Sequence, residues 1–269
     1  MKMDNILEVF GMSKSFESNN RDEIHALKDV SLCIRKGSTL GVVGESGSGK
    51  STLARCILRL EEAQFGDIHF KGENLSWMTL EEVREKRKEM QMVFQDPYSS
   101  LNPRLTVGEN IEEGMLIWKM GGQKQRLTKV RELMDLVGLS SRSLDSMPYQ
   151  FSGGQQQRIC IARALAVKPE LLILDEVTSS LDVTVQKQIL TLLKDLQNEF
   201  GLSYLFISHN LQIVRDFCDE VLLMHKGKVI EVSSTEEIFN FPLEPYTRKL
   251  ISSLHKVPTS AEIRQKFNL

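Results

Sequence analysis

A short apolar run leads directly into a glycine-rich turn at residues 39–51, which read Thr-Leu-Gly-Val-Val-Gly-Glu-Ser-Gly-Ser-Gly-Lys-Ser. Gly44 to Ser51 match GxxxxGK[ST], and a preceding strand is the context that this phosphate-binding motif requires. Backbone N–H groups of the turn bind phosphate oxygens, Lys50 places a charge on the β- and γ-phosphates, and Ser51 offers a hydroxyl to Mg²⁺. The residues predicted to bind ATP here are Gly44, Glu45, Ser46, Gly47, Ser48, Gly49, Lys50, Ser51 and Thr52.

Two acidic residues, Asp175 and Glu176, follow a second apolar run at residues 171–174. Ligand sites in open parallel sheets lie at the carboxyl ends of the strands, so this pair is expected beside the phosphate loop. We expect Asp175 to hold Mg²⁺ and Glu176 to accept a proton from the attacking water. The alternative is a strand that merely ends in solvated acids, and the upstream loop argues against it.

Two further polar side chains follow apolar runs. His209 comes after a run that ends at Ile207, where an imidazole can donate to the γ-phosphate or to the water. Gln95 closes the run 90–94, and its amide could reach Mg²⁺ or the water. A capping histidine and a turn glutamine with no role are the alternatives, and the other four histidines are interpreted as structural.

A Ser-Gly-Gly-Gln turn at Ser152, Gly153, Gly154 and Gln155 precedes a helical pattern. Such a turn offers backbone N–H groups, a hydroxyl and the positive end of a helix. It suits a second anion, or the same phosphate approached from another subunit.

The runs that are apolar on both faces favour parallel strands covered by helices on both sides, and therefore an α/β fold. Between residues 96 and 150 the pattern is helical only, starting with a capping box from Thr106 to Glu109. The patterns therefore predict an α/β core, a helical insert and an appended segment that starts near residue 241.

Composition and the N-terminal sequence argue against several classes of protein. A formal charge of −2 over 269 residues disfavours nucleic acid as the main partner. The four cysteines form no CxxC pair, which favours buried reduced thiols over zinc or disulfides. The N-terminus does not resemble a signal peptide, and no stretch approaches the length of a membrane span.

Together these ordered motifs resemble the ATP-binding subunits of ABC transporters over nearly the whole chain. The resemblance implies a RecA-like P-loop core with an antiparallel β portion at residues 1–95 and 158–240, an inserted helical signature subdomain at 96–157 and a C-terminal extension at 241–269. The resemblance implies that residues 44–51 are Walker A, Gln95 is the Q-loop residue, residues 151–155 are the signature and His209 is the switch histidine. It implies ATP contacts from the signature of a second subunit and from Asp182 of the D-loop, and it assigns Phe16 to stacking on adenine, with a plain core aromatic as the alternative. The expected catalytic residues are then Glu176, His209, Gln95 and Lys50. The residues expected to hold Mg²⁺ are Ser51, Gln95 and Asp175.

Two stretches, Asp96–Arg104 and Pro242–Leu250, look like the oligopeptide, dipeptide and nickel importer group, whose transporters use two different ATPase subunits. The cysteine cluster that some partner subunits carry near the C-terminus is absent, which favours the second of the two. Val177, Ser180 and Asn210 depart from the usual motifs, although none of them replaces a catalytic group.

The resemblance implies an ATP hydrolase that powers import of peptides or of nickel and metal chelates. Its expected partners are a second ATP-binding subunit in a heterodimer, two transmembrane permease subunits and, indirectly, an extracellular substrate-binding protein. The expected location is peripheral, on the cytoplasmic face of the cell membrane. The alternatives are an exporter subunit and a non-transport ATPase of the same type.

Overall fold

The computed structural model describes residues 4–17 and 23–254 of the chain. Within these ranges the strands form two sheets, one of six strands and one of four. The strands are β1 (Asn5–Glu17), β2 (Glu23–Arg35), β3 (Thr39–Val43), β4 (Phe65–Phe70), β5 (Glu73–Asn74), β6 (Met90–Val93), β7 (Leu171–Asp175), β8 (Ser203–Ser208), β9 (Glu220–His225) and β10 (Lys228–Ser234).

The six-stranded sheet has the order β10-β9-β3-β8-β7-β6, and its pairs are parallel except β10 with β9. Every residue of β3, β7 and β8 is buried. Such strands are covered on both faces, which is the reason their sequences are apolar without alternation. The predicted parallel core is confirmed, and its strand order brings the ends of β3, β7 and β8 together.

The helices are α1 (Lys50–Ile57), α2 (Leu80–Lys86), α3 (Pro97–Ser100), α4 (Val107–Ile117), α5 (Gln123–Leu136), α6 (Gly153–Leu165), α7 (Val183–Phe200), α8 (Leu211–Phe217), α9 (Thr235–Asn240) and α10 (Pro245–Leu254). The Thr106 capping box is present, since its hydroxyl accepts from the Glu109 N–H while the Glu109 carboxylate accepts from the Thr106 N–H.

The four-stranded sheet is antiparallel, with the order β2-β1-β4-β5. Buried residues on its inner face, among them Leu7, Val30 and Phe70, pack with Leu53 of α1 and Leu205 of β8 in one hydrophobic cluster. The antiparallel β portion expected near the N-terminus is therefore present, and it covers one face of the parallel sheet together with α1.

The helical segment packs on the other side and shares its core with the parallel sheet. Ile111 of α4 and Met134 of α5 belong to the same buried cluster as Leu172 of β7 and Phe206 of β8. The expected boundary between residues 157 and 158 falls inside α6, a single continuous helix. The helical segment and the parallel sheet thus share buried contacts across this boundary.

One sequence interpretation is wrong, because Cys33 is exposed while the other three cysteines are buried. Cys33 lies in β2 between the buried residues Leu32 and Ile34. Side chains alternate between the two faces of a strand, so this thiol must point outward. No helix within the described ranges is long and apolar enough to cross a membrane.

Candidate active site

The phosphate loop connects β3 to α1, as its sequence predicts. Gly47 and Gly49 have φ of 76° and 103°, which is the left-handed region that favours glycine. A Cβ on Gly44 would lie 2.3 Å from the Met224 carbonyl oxygen, and one on Gly49 would lie 2.3 Å from that of Ala26. These two glycines are therefore needed for packing of the loop against neighbouring backbone, and the motif alone gives no sign of those neighbours.

Lys50 begins α1 and is only 5% exposed. Its Nζ donates to the carbonyls of Gly44 at 2.8 Å and Glu45 at 3.0 Å, which holds the ammonium against the loop. Burial lowers the pKa of Lys50, whereas the charges of Glu176 and Asp175 act in the opposite direction.

Asp175 ends β7 and is 6% exposed. The Ser51 hydroxyl donates to Asp175 Oδ1 at 3.2 Å, so the structure joins two of the three residues predicted to hold Mg²⁺. The side-chain amide of the third, Gln95, contacts Glu176. Burial raises the pKa of Asp175, and the Ser51 hydrogen bond offsets part of this rise. A hydroxyl and a carboxylate fit Mg²⁺, which binds one or two protein oxygens and takes its other ligands from water and phosphates.

Glu176 lies where three elements meet. Its Oε2 accepts from Gln95 Nε2 at 3.2 Å and is 3.3 Å from His209 Nδ1. The backbone φ of Glu176 is 48°, a left-handed conformation that costs energy in a residue other than glycine and clusters at functional sites. The structure thus brings Gln95, Glu176 and His209 from three strand ends to one point, as the sequence predicts.

A cleft of about 670 Å³ lies over the phosphate loop. Its walls include Lys50, Ser51, Thr52, Gln95 and Glu176. They also include residues that the sequence does not indicate, among them Ile24, His25, Lys28 and Lys226. Three of these belong to β2 in the antiparallel sheet, so only the tertiary fold brings them to the loop. His25 was interpreted as structural, but it lines this cleft.

The signature turn lies apart from this cleft. Ser152 and Gly153 are exposed, and neither belongs to the part of the described chain that lines the cleft. The Ser152 hydroxyl accepts from the Gln155 N–H, and the Gln155 side chain accepts from the Ser152 N–H at 2.9 Å. This capping box fixes the start of α6, a role that the spacing of Ser and Gln could have indicated.

Two other predicted contacts also lie outside the cleft walls. Asp182 caps α7, and its carboxylate accepts from the N–H groups of Thr184 and Val185, each at 3.0 Å. Phe16 is 38% exposed in β1, with Lys14 Nζ 4.9 Å from its ring centroid. The assignments of these two residues to ATP stay predictions.

The family described as ABC transporter matches residues 27–179. Among curated relatives, the oligopeptide transport ATP-binding protein OppF of Bacillus subtilis is 45% identical over 98% of this chain and 88% of its own length. The glutathione import ATP-binding protein GsiA of Shigella dysenteriae is 40% identical over 99% of this chain and 42% of its own length.

Two solved structures agree with these relatives. A dimeric structure of the ATP-binding cassette MJ0796 bound to ADP and Pi superposes with a TM-score of 0.78 at 30% identity, over 85% of this chain and 98% of that one. CbiO1 of Clostridium perfringens, part of the transporter complex cbiONQ, gives 0.78 at 26% identity over 99% of this chain and 100% of its own. The chain therefore belongs to the ABC transporter family, as one of its ATP-hydrolysing subunits.

Proposed function

We propose that this chain powers an importer of peptides across the cytoplasmic membrane. The observation that carries the proposal is its 45% identity, over 98% of the chain, to a protein named for oligopeptide transport. Other relatives are named as peptide or glutathione importers, which favours the peptide class over nickel and metal chelates.

The residues around Glu176 suit hydrolysis of ATP. Gln95 and His209 both contact Oε2 of the carboxylate, so one oxygen is held while the other can accept a proton from water. Ser51 and Asp175 would hold Mg²⁺, which when bound neutralises charge on the β- and γ-phosphates. Lys50, at the start of α1, adds a positive charge beside the same phosphates.

The proposed working unit is a dimer with a second, different ATP-binding subunit. The signature at Ser152 and Gly153 is exposed and lies away from the chain's own phosphate cleft. Its free N–H groups at the start of α6 would instead face the ATP held by the other subunit. A related cassette, MJ0796, was solved as a dimer with ADP and Pi.

Two transmembrane permease subunits and an extracellular binding protein complete the proposed importer. The segment after Gln95 forms α3, in which Tyr98 is 68% exposed. Because Gln95 contacts Glu176, a change at the ATP site can move this segment. In the proposal the movement is transmitted to the permease subunits on the cytoplasmic face of the membrane. In this proposal residues 1–95 and 158–240 bind ATP, and residues 96–157 transmit its state.

The experiment is reconstitution. We expect the purified chain to be mostly monomeric with low ATPase activity, and the second ATPase and the permease pair to raise turnover. Substrate-loaded binding protein should raise ATP turnover again. When ATP is enclosed in the vesicles and the binding protein is outside, labelled peptide should accumulate inside the vesicles. Outward movement of peptide would overturn the importer, and a fully active homodimer would overturn the heterodimer.

A further inference from the structure

The C-terminal helix α10 reaches the phosphate loop through two aromatic side chains. Tyr246 of α10 lies against His225, the last residue of β9, with ring centroids 4.4 Å apart and planes inclined by 40°. His225 Nδ1 is in turn 4.0 Å from a carboxylate oxygen of Glu45, the second residue of the phosphate loop. A chain of contacts therefore runs from α10 to the phosphate loop.

Position and docking of α10 are fixed independently of this contact. The buried Glu231 accepts from the N–H groups of Leu243 at 2.9 Å and Glu244 at 3.1 Å, which holds the turn that precedes the helix. Thr247 and Ile251 lie on the buried face of α10, at 0% and 5% exposure. The helix can thus stay docked when the neighbouring Tyr246 side chain is changed.

The loop itself rests on the end of β9. Gly44 lies so close to the Met224 carbonyl that no Cβ would fit, and the Gly227 N–H donates to the Ser48 carbonyl at 3.1 Å. His225 sits between these two contacts in the chain. The backbone of His225 is therefore held beside the phosphate loop by contacts on both sides of it.

The polar groups here face Glu45. The Tyr246 hydroxyl and His225 Nδ1 are both buried, and neither makes a hydrogen bond of normal length to another described residue. Burial raises the pKa of Tyr246, and the nearby charge of Glu45 raises it further. A buried donor without an acceptor costs about 1–3 kcal/mol, which favours approach of the Glu45 carboxylate to the Tyr246 hydroxyl. The same holds for His225 Nδ1 in the tautomer that carries its proton on that nitrogen.

We propose that Tyr246 and His225 together support Glu45 and so hold the phosphate loop in the shape that binds ATP. Tyr246 is then a positioning residue, and α10, which lies in the described part of the C-terminal extension, belongs structurally to the nucleotide site. The inference concerns ATP binding by the single chain and does not depend on which substrate is transported.

The direction in which replacement of Glu45 changes ATP affinity distinguishes support of the loop from simple charge repulsion. Glu45 is 63% exposed at its side chain, and a carboxylate beside a triphosphate repels it. If charge alone mattered, Glu45→Ala would tighten ATP binding. If Glu45 is the support point, the same change weakens binding, while Glu45→Gln keeps an acceptor oxygen and binds better than Glu45→Ala.

The test is a double-mutant cycle on the full chain, with fluorescent mant-ATP as the probe. Tyr246→Ala should raise the Kd by about threefold to tenfold, as expected for one modest coupled interaction. In a Glu45→Ala background it should add less than about twofold, because the contact is already lost. Tyr246→Phe keeps the ring against His225 and should fall between Tyr246→Ala and wild type.

The control is Lys249→Ala, an exposed position on the same helix, which should leave the Kd unchanged. Thermal unfolding without nucleotide should show that all variants remain folded. The proposal is overturned if Tyr246→Ala binds mant-ATP as tightly as wild type, if its effect is equal in both Glu45 backgrounds, or if Glu45→Ala binds more tightly.

Discussion

His209 Nδ1 lies 3.3 Å from Glu176 Oε2, although the two residues come from different strand ends and are 33 positions apart. Gln95 Nε2 donates to the same oxygen at 3.2 Å. Two polar groups on one carboxylate oxygen fix its rotamer without burying it, since the Glu176 side chain is still 17% exposed. A carboxylate held in this way is a suitable general base.

Replacement of Glu176 by Gln should abolish most hydrolysis while ATP still binds. The amide has nearly the same shape but cannot accept a proton from water, so turnover should fall by roughly 10²-fold or more. Phosphate release by the assembled transporter and mant-ATP binding by the chain measure the two effects. Near wild-type turnover, in an assembly whose second ATP site is also inactivated, would exclude Glu176 as the base.

Replacement of Lys50 by Ala should weaken ATP more than AMP. The buried ammonium is placed for phosphates that AMP lacks, and loss of a charged hydrogen bond should cost roughly 10-fold to 100-fold in ATP affinity. Competition against mant-ATP gives both constants. Lys124→Ala, at an exposed position in α5, is the matched control. Equal losses for ATP and AMP would indicate a disordered loop instead.

The sequence was sufficient for the parts of the site that follow a single local rule. A strand, a glycine-rich turn and a Lys-Ser pair place Lys50 and Ser51, and the shared edge of parallel strands explains why Asp175, Glu176 and His209 meet. These predictions rely on the connection of neighbouring residues and on strand direction, both of which are visible in sequence.

Contacts between elements that are distant in the chain could not be predicted from the sequence. Ile24, His25 and Lys28 reach the cleft only because β2 of the antiparallel sheet folds over the phosphate loop. Likewise, Gly154 looks like part of a phosphate-binding turn, whereas the structure adds a packing requirement. A Cβ there would lie 2.4 Å from Val185 Cγ1 of α7.

Gly154→Ala should therefore destabilise the chain, and Val185→Ala should rescue it. Overpacking of this kind costs about 1–3 kcal/mol, whereas alanine in an open helical position is favoured over glycine. Gly153 provides the matched control, since its added Cβ would lie 3.7 Å from Leu181, an ordinary contact. Thermal unfolding of the two single variants and the Gly154/Val185 double variant measures this. If Gly153→Ala and Gly154→Ala unfold alike, the close approach of α6 and α7 is not the cause.

Asp175→Asn should stabilise the nucleotide-free chain at neutral pH and abolish stimulation of hydrolysis by Mg²⁺. Burial raises the pKa of Asp175 in the folded state, so the folded state binds its proton more tightly than the unfolded state. The favourable contribution is complete below the unfolded pKa of about 4 and is lost as pH rises through the raised folded value. At pH 7 the wild type therefore carries an unfavourable buried charge that the amide lacks.

The expected gain is a few degrees in Tm at pH 7, since about 1 kcal/mol corresponds to roughly 2–4 °C in a chain of this size. The gain should shrink as pH falls towards about 4, because the wild-type carboxyl is then protonated as well. Differential scanning calorimetry from neutral to acid pH measures it. A gain that is independent of pH would mean that repacking, and not the charge of Asp175, separates the two proteins.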